Sequence, residues 1–255
     1  MGFQSWQAFY ESDVQSLYAV VILPAAFLGY LAVRSRSAGA GVSPDHAGFV
    51  RRYCLLFAFL TILDPLCTGP LVRVLGGSGT RADLVLSCLF ILLGDFRVFW
   101  LLFRLSGPRI AGAAVLESVG WTLLVPAVAL SLRAGLSTAF PKLPENTIWL
   151  VYELCFVVLA LWLRATLLPR RMSRAAPAPR HFVRAVAAYC ALYYALWAIS
   201  DALILVLGLD LGWALRALPN QLYYAWYVPL VWVGFFSPAF WRRASTTVRA
   251  AHRGL

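Results

Sequence analysis

Seven runs of this 255-residue chain are apolar and long enough to cross ~30 Å of hydrocarbon as helices. They cover about 17–33, 53–75, 83–105, 111–132, 147–168, 182–208 and 222–241. Within a bilayer every backbone N–H and C=O must be satisfied internally, so segments this apolar lead to one fold class: an all-α membrane protein, a seven-transmembrane-helix bundle. The composition agrees, being 61% apolar and only 13% charged with a mean hydropathy of +0.74. The longest connections, about 34–52 and 169–181, are short and rich in Arg, Ala, Gly, Ser and Pro. The whole of 1–255 therefore reads as a single integral membrane domain, with no soluble domain.

A net charge of +11 raises the question of nucleic acid, and the placement of the charges answers it. Sixteen of the 22 basic residues fall in or beside alternate connections: Arg34, Arg36, Arg51 and Arg52; Arg104 and Arg109; Arg164, Arg170, Arg171, Arg174, Arg180 and Arg184; Arg242, Arg243, Arg249 and Arg253. The opposite connections hold most of the loop acids, among them Glu11, Asp13, Asp83, Glu145 and Asp210. The positive-inside rule puts the N-terminus outside and the C-terminus in the cytoplasm. The basic excess is then a topology signal that also suits anionic lipid headgroups, and no nucleic-acid partner is expected. The N-terminus lacks the basic region and cleavage site of a removable signal, and neither end carries a lipidation motif. An Arg-rich, Ala-rich chain with one Lys fits the plasma (inner) membrane of a high-GC bacterium.

Charge inside the helices is the second informative feature. The stretch "FILLGDFRVFWLLF" at 90–103 carries Asp95 and Arg97, two residues apart and so on nearly opposite sides of a helix. Each needs a partner elsewhere, because a charge near the bilayer centre costs at least ~2.5 kcal/mol and normally faces a bundle interior or a wet cavity. Asp64, Glu117, Glu153 and Asp201 lie within other apolar runs. Counting ~1.5 Å per residue from the basic ends puts Asp64, Asp95, Glu117 and Glu153 roughly 12–18 Å deep and Asp201 deeper, a polar layer near the midplane. Arg97 either serves that site or forms a packing ion pair with Glu117. Pro65, beside Asp64, predicts a kink there, which Pro70 repeats.

Aromatic residues accompany the acids. Tyr189, Tyr193, Trp197 and Asp201 recur every fourth residue, one helix face leading to a carboxylate. Trp149, Tyr152, Glu153 and Phe156 form a similar face. Asn220, Gln221, Tyr223, Tyr224 and Tyr227 cluster near the outer end of the last run, where Tyr223 and Tyr224 read as an interfacial aromatic belt. Loss of water opposes ionisation of a carboxyl group and a guanidinium favours it, so two acids in different surroundings suit general acid and base work or proton coupling.

Several classes are excluded. The sole Lys, Lys142, lies in an external loop, so no transmembrane Schiff base to retinal forms. His46, His181 and His252 lie in cytoplasmic connections or at their edges, and there is no H-E-x-x-H. No metal or other cofactor is expected. The five cysteines show no C-x-x-C pair, and no internal repeat of the transporter kind is visible.

Three segments in order, "LLGD" at 92–95, "LVYELCFVVLALWLRATL" at 150–167 and "ALWAISDALILVLG" at 195–208, resemble the YhhN/TMEM-type lysoplasmalogenase family. That resemblance implies a multi-helix membrane hydrolase cleaving the vinyl ether bond of lysoplasmalogens, with Asp95 and Asp201, and then Tyr152, as the matching residues. This chain departs from the family in having Asp64-Pro65 in place of Lys-Pro, no His after Gly-Asp, and seven helices in place of eight. The expectations are then acid–base chemistry on a lipid, with Asp95, Asp201 and Glu153 catalytic and with Asp64, Arg97, Glu117, Tyr152, Tyr193, Trp197 and Tyr227 binding substrate. A receptor or sensor for a hydrophobic or amphipathic small molecule is the alternative, and a proton-coupled transporter the third. Partners are membrane lipids and that small molecule.

Overall fold

The computed structural model describes residues 5–33, 43–107, 111–173 and 175–237. Arg34, Arg36, Arg109, Arg174, Arg242, Arg243, Arg249, Arg253 and His252 lie outside the described residues, as does 238–241 of the last expected helix. Among the described residues the chain is helical, without strands. A short α1 (Trp6–Tyr10) precedes α2 (Val14–Val33), α3 (Pro44–Val74), α4 (Arg81–Leu105), α5 (Ala111–Ala139), α6 (Thr147–Arg171), α7 (Pro177–Leu205) and α8 (211–236). Six of these, α2 to α7, are long and apolar enough to cross a membrane.

Local sequence explains where these helices begin. Helix α3 starts well before residue 53 because Ser43 caps it, its Oγ accepting from His46 N–H at 3.2 Å, with Pro44 in the first turn where its missing N–H costs nothing. Thr80 caps α4 in the same way through Asp83 N–H at 3.3 Å, while Asp83 accepts from Gly79 N–H at 2.8 Å. The turn before it needs glycine, since Gly76, Gly77 and Gly79 all have positive φ.

Proline governs the helix interiors. Four stretches widen into π-turns: Val14–Tyr18, which has no proline, Cys67–Leu71 containing Pro70, Leu163–Leu167 just before Pro169, and Gln221–Trp226 between Pro219 and Pro229. In the last three, Pro70, Pro169 and Pro229 each remove a donor and press on the carbonyl four residues earlier, at Leu66, Ala165 and Ala225, which a wider turn accommodates. The disturbance expected at Pro65 falls a turn later, since α3 remains α-helical through Leu66.

The outward faces are apolar, with Leu116, Val158, Leu84 and Ile199 exposed, the reverse of a soluble bundle and suited to lipid contact. Inside, Tyr53, Phe99, Phe103, Phe156, Tyr193 and Tyr227 are fully buried. Helices α6 and α7 pack along one another, α8 lies against α2, α3 and α7, and α4 meets α7 and α8 at the centre. Two glycines permit the closest approaches. A Cβ on Gly94 would lie 1.4 Å from Tyr223 Oη, and one on Gly212 would lie 2.8 Å from the Ser200 carbonyl oxygen.

Candidate functional site

The bundle holds a cavity of about 310 Å³ between α3, α4, α6, α7 and α8, with Tyr10 of α1 at its mouth. It lies in the half of the bundle remote from the Arg104–Asp45 and Arg171–Glu117 ion pairs, and its rim includes the half-exposed Trp149. This size is within the usual range for small-molecule sites.

Two carboxylates face the cavity. Asp64, on the last α-helical turn of α3, accepts side-chain hydrogen bonds from Tyr224 and, at 3.4 Å, from Thr68 Oγ1, whose hydroxyl also lies 2.9 Å from the Asp64 carbonyl. Glu153 on α6 is only 5% exposed, and its Oε2 has no hydrogen-bond partner. Asp201 lies just behind, ion-paired at 3.2 Å with Arg216 Nη1, and Arg216 itself reaches the lining.

Asp95 stands behind the wall. Tyr152 donates to one of its carboxylate oxygens and Tyr194 to the other, and both tyrosines line the cavity. Its neighbour Arg97 points elsewhere. Nη1 donates to Thr61 Oγ1 at 3.3 Å and Nη2 to the Tyr223 carbonyl at 2.7 Å, while Cζ lies 4.0 Å and 4.4 Å from the ring centroids of Tyr223 and Tyr227. Among the described residues no carboxylate forms an ion pair with Arg97, so its charge is met by tyrosine π-faces and carbonyl oxygen. Tyr53 extends the stack, donating to the Arg97 carbonyl at 2.9 Å and lying 3.2 Å from Tyr227 Oη.

The expected site residues therefore separate. Asp64, Glu153, Tyr152 and Trp197 share the cavity, Asp95 adjoins it, and Arg97 and Tyr227 form the stack beneath Tyr223. Glu117 is not in this layer. It pairs with Arg171 at the basic end of α6, whose guanidinium sits 4.9 Å over Phe103, so the ion pair anticipated between Glu117 and Arg97 is absent. Tyr193 is fully buried against Tyr189, Trp197 and Tyr223, and the lining takes Tyr194 in its place, which shares a face with Trp197 three residues on. Tyr223 and Tyr224 are not an interfacial belt. The π-turn at 221–226 directs both consecutive rings at the cavity, and Tyr223 is buried.

Residues not anticipated include Tyr10, Tyr194, Arg216 and the partnering of Asn220, whose Oδ1 accepts from Trp197 Nε1 at 3.0 Å. The only sequence signal for Arg216 is a charge shortly before an aromatic run. Among the described residues no three His, Cys, Asp or Glu side chains are arranged to hold a metal ion. No protein-family model, curated protein or solved structure matches this chain.

Proposed function

We propose that this chain is a seven-helix protein of the plasma membrane that binds an amphipathic small molecule in the cavity, as a receptor or sensor. The observation that carries this reading is the cavity itself: about 310 Å³, walled by Trp149, Tyr194, Trp197 and Tyr223, bearing two carboxylates and floored by packed rings. Helix α8 serves as the seventh span, since 26 residues at ~1.5 Å each reach well beyond the hydrocarbon thickness and its flanks are covered by α2, α3 and α7. An N-terminus and cavity mouth on the outside are supported by the positive-inside rule, which keeps the basic end of the bundle in the cytoplasm. Arg-rich composition favours a high-GC bacterial source.

The stack from Tyr223 through Arg97 and Tyr227 to Tyr53 links the cavity wall to the core of the inner half, a contiguous route by which occupancy biases the cytoplasmic end. Binding is tested by thermal shift of the purified protein against a panel of single-chain amphiphiles. Stabilisation by at least one, abolished in Ile91→Trp, which fills the cavity, is the expected result. No stabilisation by any member overturns the reading.

Enzymatic acid–base chemistry on a lipid is the second reading, favoured by a cavity lined by two carboxyl groups, Glu153 and Asp64, of which Glu153 keeps a buried oxygen without a partner. In it Glu153 and Asp64 take the acid and base roles, because these two line the cavity whereas Asp95 and Asp201 stand behind its wall. The lysoplasmalogenase resemblance names the substrate to try: a vinyl ether lysophospholipid, with aldehyde release lost in Glu153→Gln. Proton-coupled transport has less support, as Phe99, Phe103 and Phe156 fill the inner half.

A further inference from the structure

The polar atoms of the cavity wall are mostly spent, and apart from the buried Arg216 Nε–H what remains unpartnered there is carboxylate oxygen. Tyr152 and Tyr194 direct their hydroxyls to Asp95, Trp197 Nε1 is bonded to Asn220, and Arg216 is paired with Asp201. The wall therefore offers an incoming molecule ring faces and carboxylate oxygens, with few free donors. Glu153 is the clearest of these groups, a buried carboxyl that lines the cavity and has no donor on its buried Oε2. A carboxylate oxygen left this way out of water is costly unless a ligand supplies the missing donor or charge.

We infer that the ligand of this cavity carries an organic ammonium group that sits between Glu153, Asp64 and the rings of Trp197, Tyr194 and Tyr223. The inference rests on reading the cavity as a ligand site and adds the ligand's chemistry to it. Three observations converge. The aromatic faces attract a cation through their quadrupoles, most strongly where water is excluded. The named groups around the cavity comprise four carboxylates, Asp64, Asp95, Glu153 and Asp201, against two guanidinium groups, Arg97 and Arg216. Arg97 is further withdrawn, its guanidinium stacked on Tyr223 and Tyr227. A bare metal ion is not favoured by this lining, which brings rings and two carboxylates where a hard cation needs six or more oxygens.

The test uses the 255-residue protein in a non-ionic detergent, titrated with benzyltrimethylammonium and followed by tryptophan fluorescence, beside neutral benzyl alcohol and anionic benzenesulfonate. Saturable binding of the cation, at least about tenfold tighter than either comparison compound, is expected. Glu153→Gln and Asp64→Asn should each weaken it by about tenfold or more, while Asp45→Asn at the opposite end leaves it unchanged. Should Glu153→Gln not fold, Trp197→Leu carries the same expectation. Equal affinity for benzyl alcohol, absence of saturable cation binding, or unchanged cation affinity in the carboxylate variants overturns the ammonium assignment. If benzyl alcohol or another amphiphile still binds and is lost in Ile91→Trp, the cavity remains a ligand site and only its charge preference has been misassigned.

Discussion

Asp95 has a tyrosine hydroxyl on each carboxylate oxygen, from two different helices. Because Tyr152 belongs to α6 and Tyr194 to α7, the carboxylate ties α4 to both and fixes the two rings that face the cavity. Tyr152→Phe or Tyr194→Phe leaves one buried carboxylate oxygen without its donor, at a cost of about 1–3 kcal/mol each, and the double variant should lose less than the sum or more, but not the sum itself. Thermal unfolding of the four proteins in detergent measures this coupling. At this scale the sequence shows that Asp95 and Arg97 have separate partners, since a two-residue spacing on a helix forbids a shared one. It does not show the partners. Those depend on rotations of α6 and α7 about their own axes, and in helices apolar on every side no amphipathic stripe fixes that rotation. Glu117 differs in depth, since α5 begins at Ala111 and leaves Glu117 within two turns of the basic end, beside Arg171, whereas Glu153 lies near the opposite end of α6.

Among the elements, α8 decides the shape of the site. Pro219 and the π-turn that follows change the pitch of the helix between its first and last thirds, so Tyr223 and Tyr224 both turn inward and Tyr227 continues under Arg97. The first third is held against α7 at Gly212, whose added Cβ would meet Ser200 O at 2.8 Å and Ile204 Cγ1 at 2.6 Å. Gly212→Val should therefore push the two helices apart and cost about 1–3 kcal/mol, seen as a lowered melting temperature. Helix α1 is held differently, by surface bonds. Asp210 accepts from the Trp6 and Gln7 N–H groups at 2.7 Å and 3.2 Å, and Tyr10 packs on Trp213 with ring centroids 5.5 Å apart. Asp210→Ala should release α1 from the mouth with little loss of global stability, read as faster amide exchange over residues 6–10 and unchanged exchange in α6. Length and hydropathy make α2 to α7 readable from sequence, with their limits shifted by caps such as Ser43. Helix α8 is harder to read because Asn220, Gln221 and four aromatic residues dilute its apolar character where it lines the cavity.

For the whole molecule, the division into two halves matters most. One end carries the Arg104–Asp45 and Arg171–Glu117 pairs over a core of stacked rings, and the other encloses the acid-bearing aromatic cavity. The charge asymmetry is legible in the sequence, whereas the cavity arises only when five helices are brought together. The most direct measurement is thiol labelling with a membrane-impermeant maleimide in right-side-out membrane vesicles. It would use a variant whose five native cysteines are replaced and which carries single Thr68→Cys, Trp149→Cys or Arg170→Cys substitutions. Thr68 and Trp149 line the cavity, so both positions should label from outside, with Thr68→Cys slower and further slowed by benzyltrimethylammonium. Arg170→Cys, at the exposed basic end of α6, should label only after the vesicles are opened. Labelling of Thr68→Cys only in opened vesicles, or of Arg170→Cys in intact ones, would contradict an outward-facing ligand cavity.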